Sequence, residues 1–552
     1  MTGPVRPAAI QAALPSERVV LQEPPGEERI DLDVVFVGAG PAGLAGAIEL
    51  ARLVRGDNES SGGIGEVSIG VLEKAAALGE HNLSGAVVNP RALRDLFPEL
   101  ADGDFPFGQP VPKESLYLLS QRRAHRLPMP PSMHNKGNYV ASICEIVRWL
   151  GEKAQELGVD VFPGFPAGAL LTDGDRVLGV RTVPSGLDRD GNPTSTHMPA
   201  ADIVAKVTAL SEGTRGMLTE AYREWQRIPA ANPQVYALGV KELWELNRPL
   251  DRVIHTMGWP LPREAFGGSF MYPLEPNVAA LGLVVGLDYP YRDLDVHVLL
   301  QRMKLHPLFR PFLEGGELIE WGAKTIPEGG YYAWPERLSG DGVLLLGDAA
   351  GFVDVPSLKG IHYAVQSGIF AARAIFQALK ADDTSRATLG EYDRLVHGSY
   401  IRDDLYRTRN MRLAFKDGFI RGGLKAGLMT LTGGRFPGRK IPMHRDADVQ
   451  RYAGGSVPLP ADDPLVVSKV DAVFKAGNAT RDDIPTHLIV GTDVSTDAAE
   501  FYAHLCPAGV YEVADGRLVV NPPNCVDCKA TDVVGPRWTP REGGAGPAYK
   551  RM

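Results

Sequence analysis

A β-branched run that ends in three closely spaced glycines constrains this chain more than any other feature. Asp33-Val-Val-Phe-Val37 leads into Gly38-Ala-Gly40-Pro-Ala-Gly43, and Leu44, Ala47, Ile48 and Ala51 follow at helical spacing. The order is strand, tight turn, helix. Gly38 permits the turn, Gly40 lets backbone approach a pyrophosphate, and Gly43 lets the helix pack on the strand. The anion then rests on the N–H groups at the helix N-terminus. A second strand, Val67 to Leu72, ends in Glu73, an acid placed to accept hydrogen bonds from a ribose. Glu73 lies 30 residues beyond Gly43, and the polar insert Arg55 to Gly65 accounts for the extra length over the usual ~20. A bare glycine turn is the other reading, and the order of strand, helix, second strand and acid predicts a dinucleotide site.

The chain has room for more than one domain. At 552 residues, three or four are expected. Hydrophobic residues at 44% and charged ones at 23% give an ordinary globular balance and exclude general disorder. The 62 Gly and 44 Pro exceed average usage and suit tight turns and close backbone–cofactor approaches. A net charge of −9 argues against nucleic acid as the main partner. No stretch approaches the ~18 apolar residues of a membrane span, and the first thirty residues show no secretory signal. Four cysteines make no disulfide framework, so a reducing interior is expected. Cys144 falls within the amphipathic pattern Ile143, Ile146, Val147, Leu150, Ala154 and reads as a buried structural thiol. Cys506, Cys525 and Cys528 crowd the last tenth of the chain.

A second glycine-acid element narrows the cofactor. Gly342-Val-Leu-Leu-Leu-Gly347-Asp348-Ala-Ala-Gly351 is an apolar strand ending in Gly-Asp, followed by a helix-compatible stretch to Ala374. It resembles the second FAD motif of glutathione-reductase-like flavoproteins, in which the Asp holds a ribityl hydroxyl. Glu212-Gly213 resembles the Asp-Gly motif of the same proteins, with Glu in place of Asp. An Asp such as Asp348 taken alone could be a turn residue. Paired with the first motif, it makes FAD the expected cofactor, held by Gly38, Gly40, Gly43, Glu73, Gly347 and Asp348.

Longer strings carry a family resemblance across most of the chain. They include His81-Asn-Leu-Ser-Gly-Ala-Val-Val-Asn-Pro90, Gly258-Trp-Pro-Leu261, Phe266-Gly-Gly-Ser-Phe270, Leu281 to Tyr289, His306 to Gly316 and Glu542-Gly-Gly-Ala-Gly-Pro547. With these the chain resembles the electron-transfer flavoprotein–ubiquinone oxidoreductase family. The resemblance implies an α/β fold: a doubly wound, glutathione-reductase-like FAD domain, an inserted β-sheet quinone domain and a small ferredoxin-like iron–sulfur domain. It places FAD-binding parts at 30–105, 135–229 and 331–405, and the quinone sheet at 230–330. A membrane-proximal segment falls at 106–134, a basic surface segment at 406–445, a linker at 446–465 and the iron–sulfur domain at 466–552. Gly267 and Gly268 match the pair lining the quinone pocket, where a flat ring must meet bare backbone. Without the resemblance they would read as a bulge or turn.

The same resemblance implies four thiolates around a [4Fe–4S] cluster, one distant Cys and then C-x-x-C-x-x-C. Here three match, Cys506, Cys525 and Cys528, and Thr531 stands in the fourth position. Four readings stay open: a [3Fe–4S] cluster, a labile [4Fe–4S] cluster completed by water or Asp532, zinc with His504, and an empty module.

Between Tyr406 and Arg445 there are ten Lys or Arg and one acid, Asp417. Leu413, Phe415, Phe419, Ile420, Leu424, Leu428 and Leu431 recur among them at roughly helical spacing. A basic helix with an apolar stripe suits a membrane interface. A solvated basic face or a dock for an acidic protein is the other reading. The segment 106–134 is polar at Gln121-Arg-Arg-Ala-His-Arg126, so attachment would be shallow. The expected place is the membrane surface, on the cytoplasmic face of the inner membrane if the cell is bacterial.

Function follows the resemblance. The chain is expected to take electrons from reduced electron-transfer flavoprotein and deliver pairs to ubiquinone or menaquinone, with the chemistry carried by cofactors. Gly347-Asp348-Ala-Ala-Gly351 is closer to geranylgeranyl-reductase-like flavoproteins. That keeps a second reading, a reductase or monooxygenase fed by NAD(P)H or ferredoxin. A third is a flavin-bound adaptor without catalysis.

Overall fold

The computed structural model describes residues 3–60, 62–491 and 494–552, and it is organised around two large sheets. In strand β1 (Arg29–Val37) the last four residues, Val34-Val-Phe-Val37, are all buried, as expected of a strand covered on both faces. Helix α1 (Pro41–Asn58) starts on Pro41, which is favoured in a first turn, and buries Leu44, Ala47, Ile48 and Ala51. Strand β2 (Ile69–Glu73) lies parallel to β1 on one side, and strand β3 (Asp202–Leu210) lies parallel on the other.

The free edge of β3 is shared. Its first residues pair antiparallel with the strand Arg176–Thr182, and its last three pair in parallel with strand β8 (Val343–Leu345). Leu72, Val37, Leu210 and Leu345 therefore sit side by side, at the carboxyl ends of four parallel strands. The residues that follow them are Glu73, Gly38, Ser211 and Leu346-Gly347-Asp348. This register gathers motifs that lie far apart in the chain, and the open end of such a sheet is where ligands bind. The helix expected directly after Asp348 begins later. A turn and loop come first, and helix α2 runs Ile361–Lys380 with Gly360 as its cap.

The second sheet has seven strands among the described residues. Strands β4 (Tyr236–Glu245), β5 (Gly267–Glu275), β6 (Val278–Gly286) and β7 (Glu317–Pro327) form its antiparallel heart in the order β7-β4-β6-β5. The strand Arg252–Gly258 continues the sheet from β5. The hairpin Lys113–Leu119 and Ala124–Leu127 completes it. Much of the segment 106–134, expected as a separate membrane-proximal piece, thus forms the edge hairpin of the second sheet through backbone pairing with Arg252–Gly258.

Two other boundaries shift for the same physical reason. The polar start of the chain, expected outside the first domain, adds Val20–Leu21 in parallel to Ala167–Asp173 and pairs Val5 with Arg451. The linker expected at 446–465 begins in the core. Arg451 is fully buried and donates to the carbonyls of Leu287, Tyr289 and Asp446 at 2.6, 2.8 and 3.3 Å, while the Asp446 carboxylate accepts from Tyr236 N at 2.8 Å. These bonds fasten the start of the linker to β4 and to the loop after β6. Arg451→Met should lower stability by about 3 kcal/mol, since three buried carbonyls lose a charged donor. Its urea midpoint should fall, with flavin content retained in the fraction that folds.

Candidate functional site

The turn between β1 and α1 has no room for a side chain at Gly38 or Gly43. Gly38 has φ +108°, and a Cβ there would stand 2.6 Å from the Ser211 carbonyl oxygen. A Cβ on Gly43 would stand 2.2 Å from Gly38 O. Gly40 caps α1, whose first N–H groups turn toward the open end of the sheet. The Glu73 carboxylate is buried and accepts from Ala39 N at 3.2 Å and Ala75 N at 2.9 Å. Burial raises its pKa against those bonds. The Asp348 carboxyl faces the same space without a hydrogen-bond partner among the described residues, and burial lifts it to about 6. Glu212 does something else. It accepts from Leu218 N at 3.1 Å and Thr219 N at 2.8 Å and so caps the helix Met217–Trp225.

These residues line one cleft holding about 2350 Å³ of non-atom space, part of it open to solvent. Gly38, Gly40, Glu73, Glu212 and Asp348 line its nucleotide-type end. Lys241, His255, Phe270 and Tyr272 of the second sheet form a wall, and Lys529 and Trp538 close it from the C-terminal module. Lys241 Nζ and His255 Nε2 are buried there without partners. Polar atoms left unpaired around a cleft of this size fit a large polar cofactor such as FAD.

The sequence-selected glycines Gly267 and Gly268 do not line this cleft. They open β5, where a Cβ on Gly267 would stand 2.1 Å from Val284 O and one on Gly268 2.6 Å from Thr256 O. Neighbouring strands exclude side chains at both positions. Beside them Phe266 packs on Phe415 with ring centroids 4.8 Å apart, and Phe419 N donates to Arg263 O at 3.3 Å. That contact seats helix α3 (Phe419–Leu431) next to the glycine pair.

Helix α3 divides the expected apolar stripe in two. Leu413 is buried, while Ile420, Leu424, Leu428 and Leu431 stand 64, 74, 43 and 86% exposed at a spacing that puts them on one face. The ten basic residues divide too. Arg409 and Arg412 are buried, the latter bonded to Glu328 at 2.6 Å and Asp288 at 2.9 Å, and the other eight are exposed. Among the described residues no helix is long and apolar enough to cross a membrane.

The three C-terminal cysteines are buried and unpaired. Lys469 Nζ donates to Cys506 O at 2.7 Å, and Cys525 Sγ lies 3.7 Å from Asp527 Oδ1. Burial pushes the Cys525 thiol up to about 12, so a metal must displace its proton. The Tyr511 phenol lies among the three thiols and Thr531 with its oxygen buried and unpartnered, and both ring nitrogens of His487 are unpartnered beside Cys525. Three thiols around one phenol and orphaned polar atoms beside them fit an iron–sulfur group.

One residue missed from the sequence ties the module down. Asp527, between two cysteines, receives Lys74 Nζ at 2.5 Å, Trp538 Nε1 at 2.9 Å and Arg541 at 3.0 Å. Although burial opposes it, Arg541 and Lys74 hold its carboxyl well below the usual range. Lys74 directly follows Glu73. From the second sheet, Lys324 Nζ donates to Asp527 O at 3.2 Å and Thr325 N to Cys528 O at 2.9 Å. The only signal in the sequence is the acid within Cys525-Val-Asp-Cys528.

Comparison with known proteins accords with this geometry. Residues 236–326 match the family described as "ETF-QO, ubiquinone-binding", and residues 464–550 match "Electron transfer flavoprotein-ubiquinone oxidoreductase, 4Fe-4S". The electron transfer flavoprotein-ubiquinone oxidoreductase of Oryza sativa, a mitochondrial protein, is 37% identical over 96% of this chain and 94% of its own length. The chain belongs to this family. The human relative is also 37% identical, over 95% of this chain and 89% of its own, and that of Dictyostelium discoideum is 35% identical over 96% and 92%. Among solved structures, a geranylgeranyl bacteriochlorophyll reductase-like protein of Thermoplasma acidophilum shares the fold, with TM-score 0.56 and 20% identity over 74% of this chain and 96% of its own. A myxobacterial FAD-dependent halogenase does so with TM-score 0.51 and 18% identity over 76% and 95%. Gly43→Val, which drives a side chain into the Gly38 carbonyl, should give folded protein that carries no flavin and takes up none when FAD is added, as read by flavin fluorescence released on denaturation after gel filtration.

Proposed function

We propose that the chain oxidises reduced electron-transfer flavoprotein and reduces ubiquinone, using FAD in the cleft and an iron–sulfur cluster on Cys506, Cys525 and Cys528. The observation that carries this is the junction at Asp527, which joins the loop bearing two of the cysteines to the strand end that bears Glu73. When bound, FAD exchanges electrons singly or in pairs and the cluster exchanges one at a time.

The protein's part is placement. The N–H groups at the start of α1 and the bare backbone of Gly38 and Gly40 bind the pyrophosphate, while Gly43 lets α1 pack close on the turn. Glu73 accepts from the ribose through the lone pairs that Ala39 and Ala75 leave free. Asp348, set by the turn at Gly347, accepts from a ribityl hydroxyl, and that bond relieves its unpaired burial. Gly360, at the start of α2, lines the same cleft. The walls from β4 and β5 exclude water from the space between sheet and cofactor.

Gly267 and Gly268 serve the quinone side. Their position supports this, for they open β5 beside the exposed face of α3, where a lipid-soluble acceptor would approach. In this reading α3 lies in a membrane surface, with Ile420, Leu424, Leu428 and Leu431 in the acyl boundary and Arg421 and Lys425 on anionic headgroups. The matched quinone-type domain favours ubiquinone over menaquinone.

Two measurements test these statements. Anaerobic mixing with reduced electron-transfer flavoprotein and a short-chain ubiquinone should yield quinol, while NADPH should leave the flavin oxidised. Rapid bleaching by NADPH, with no response to the flavoprotein, would instead support the reductase reading. Replacing Leu424, Leu428 and Leu431 by Asp should weaken co-sedimentation with phosphatidylglycerol vesicles at least about tenfold, because each buried Leu contributes about 1.5–3 kcal/mol. Reduction of short-chain quinone should be unchanged, and equal vesicle binding would remove the membrane role of α3.

A further inference from the structure

A cubane of four irons has four corners to ligate, usually all by thiolates, and this module presents three. The remaining cysteine is engaged elsewhere, as Cys144 Sγ donates to the carbonyls of Asn82 at 3.2 Å and Met552 at 3.3 Å. The other ligand types near the thiols are also committed. Asp532 receives Arg215 Nε at 2.8 Å and Trp538 N at 3.1 Å. Asp527 is saturated by Lys74, Trp538 and Arg541. His504 lies 4.0 Å from Asp295, at the partly exposed end of the helix Thr496–Leu505. His487 stands within 4.8 Å of Cys525 Sγ and Asp527, crowded against a thiolate that already serves one corner.

At the sequence position of the fourth ligand stands Thr531, and the unpartnered phenol of Tyr511 neighbours it and all three thiols. Thr531 is itself buried, in the first turn of the helix Ala530–Val534. Its hydroxyl is neutral at any physiological pH and does not replace a thiolate on iron. The site is complete for three irons and one ligand short for four.

We propose that this chain holds a [3Fe–4S] cluster on Cys506, Cys525 and Cys528, with the corner at Thr531 free of iron. The inference rests on the iron–sulfur reading given under Proposed function, and it departs from the 4Fe-4S description of the matched family. A three-iron cluster still exchanges single electrons, so the role in transfer is kept while the metal content and magnetism change.

The test uses full-length protein purified without oxygen, assayed for iron, sulfide and flavin, and examined by electron paramagnetic resonance. The wild type should contain about three irons and about four sulfides per flavin. Its oxidised form should carry a spin-half signal that is lost on reduction with dithionite. Thr531→Cys should gain about one iron, lose the oxidised signal and show a new one only when reduced. If that variant fails to fold, the wild type suffices: ferrous iron with dithionite should remove the oxidised signal, and ferricyanide with a chelator should restore it. About four irons with a silent oxidised state in the wild type would overturn the proposal, as would the absence of iron. Loss of the fourth iron in His487→Gln would then assign that corner to His487. Quinone reduction measured on the same sample separates the two readings, since activity with four irons sinks only the cluster assignment, and three irons without activity sinks only the function.

Discussion

The ion pair between Lys74 and Asp527 is the contact on which the working arrangement depends. It spans 453 positions of the chain and closes at 2.5 Å in a buried setting. One partner follows the acid that ends β2, and the other lies between Cys525 and Cys528. Removing Lys74 would leave the buried Asp527 carboxylate with Arg541 as its remaining close cation partner, which costs more than losing a surface pair. The loop of the C-terminal module therefore cannot drift from the nucleotide-type end of the cleft. Trp538, which donates to Asp527, also lies under Lys74 and Lys529 at 4.6 and 3.7 Å from its ring, so the junction is packed as well as charged.

The cleft is the joint product of three parts of the chain. The first sheet supplies strand ends and bare backbone, the second a wall of mixed polar and aromatic side chains, and the module a lid edge at Lys529 and Trp538. β7 contributes to this twice. It pairs with β4 inside its own sheet, and its Lys324 and Thr325 bond the cysteine loop. An electron carrier gains from such rigidity, because fixed spacing between cofactors needs no motion during transfer. The buried pair of Lys304 and Glu242, with Trp244 and Gln301 on the same carboxylate, stiffens β4 in the same manner.

The surface helix α3, by contrast, is loosely attached and exposes its apolar face. Its anchors are local: Phe415 on Phe266, one backbone bond to Arg263 and buried Met429. A segment held this way can settle at an interface without disturbing the core. The buried Arg412, ion-paired to Glu328 and Asp288, keeps the base of the segment fixed to the second sheet.

Much of the site is legible in the letters alone. Gly38, Gly40, Gly43 and Glu73 stand out in order, as do the Gly347-Asp348 strand end, the buried Cys144 and the three crowded cysteines. Each is a local demand, since a positive φ, an unobstructed helix start or a cluster of thiols requires a particular residue type at one place. Less visible are the edge hairpin within 106–134, the buried start of the supposed linker at Asp446 and Arg451, the division of the basic segment, and Asp527. A charged residue looks the same in a string of letters whether it meets water or a distant partner. Burial and pairing arise only when remote strands close into sheets, so they belong to the folded chain and to no short stretch of it.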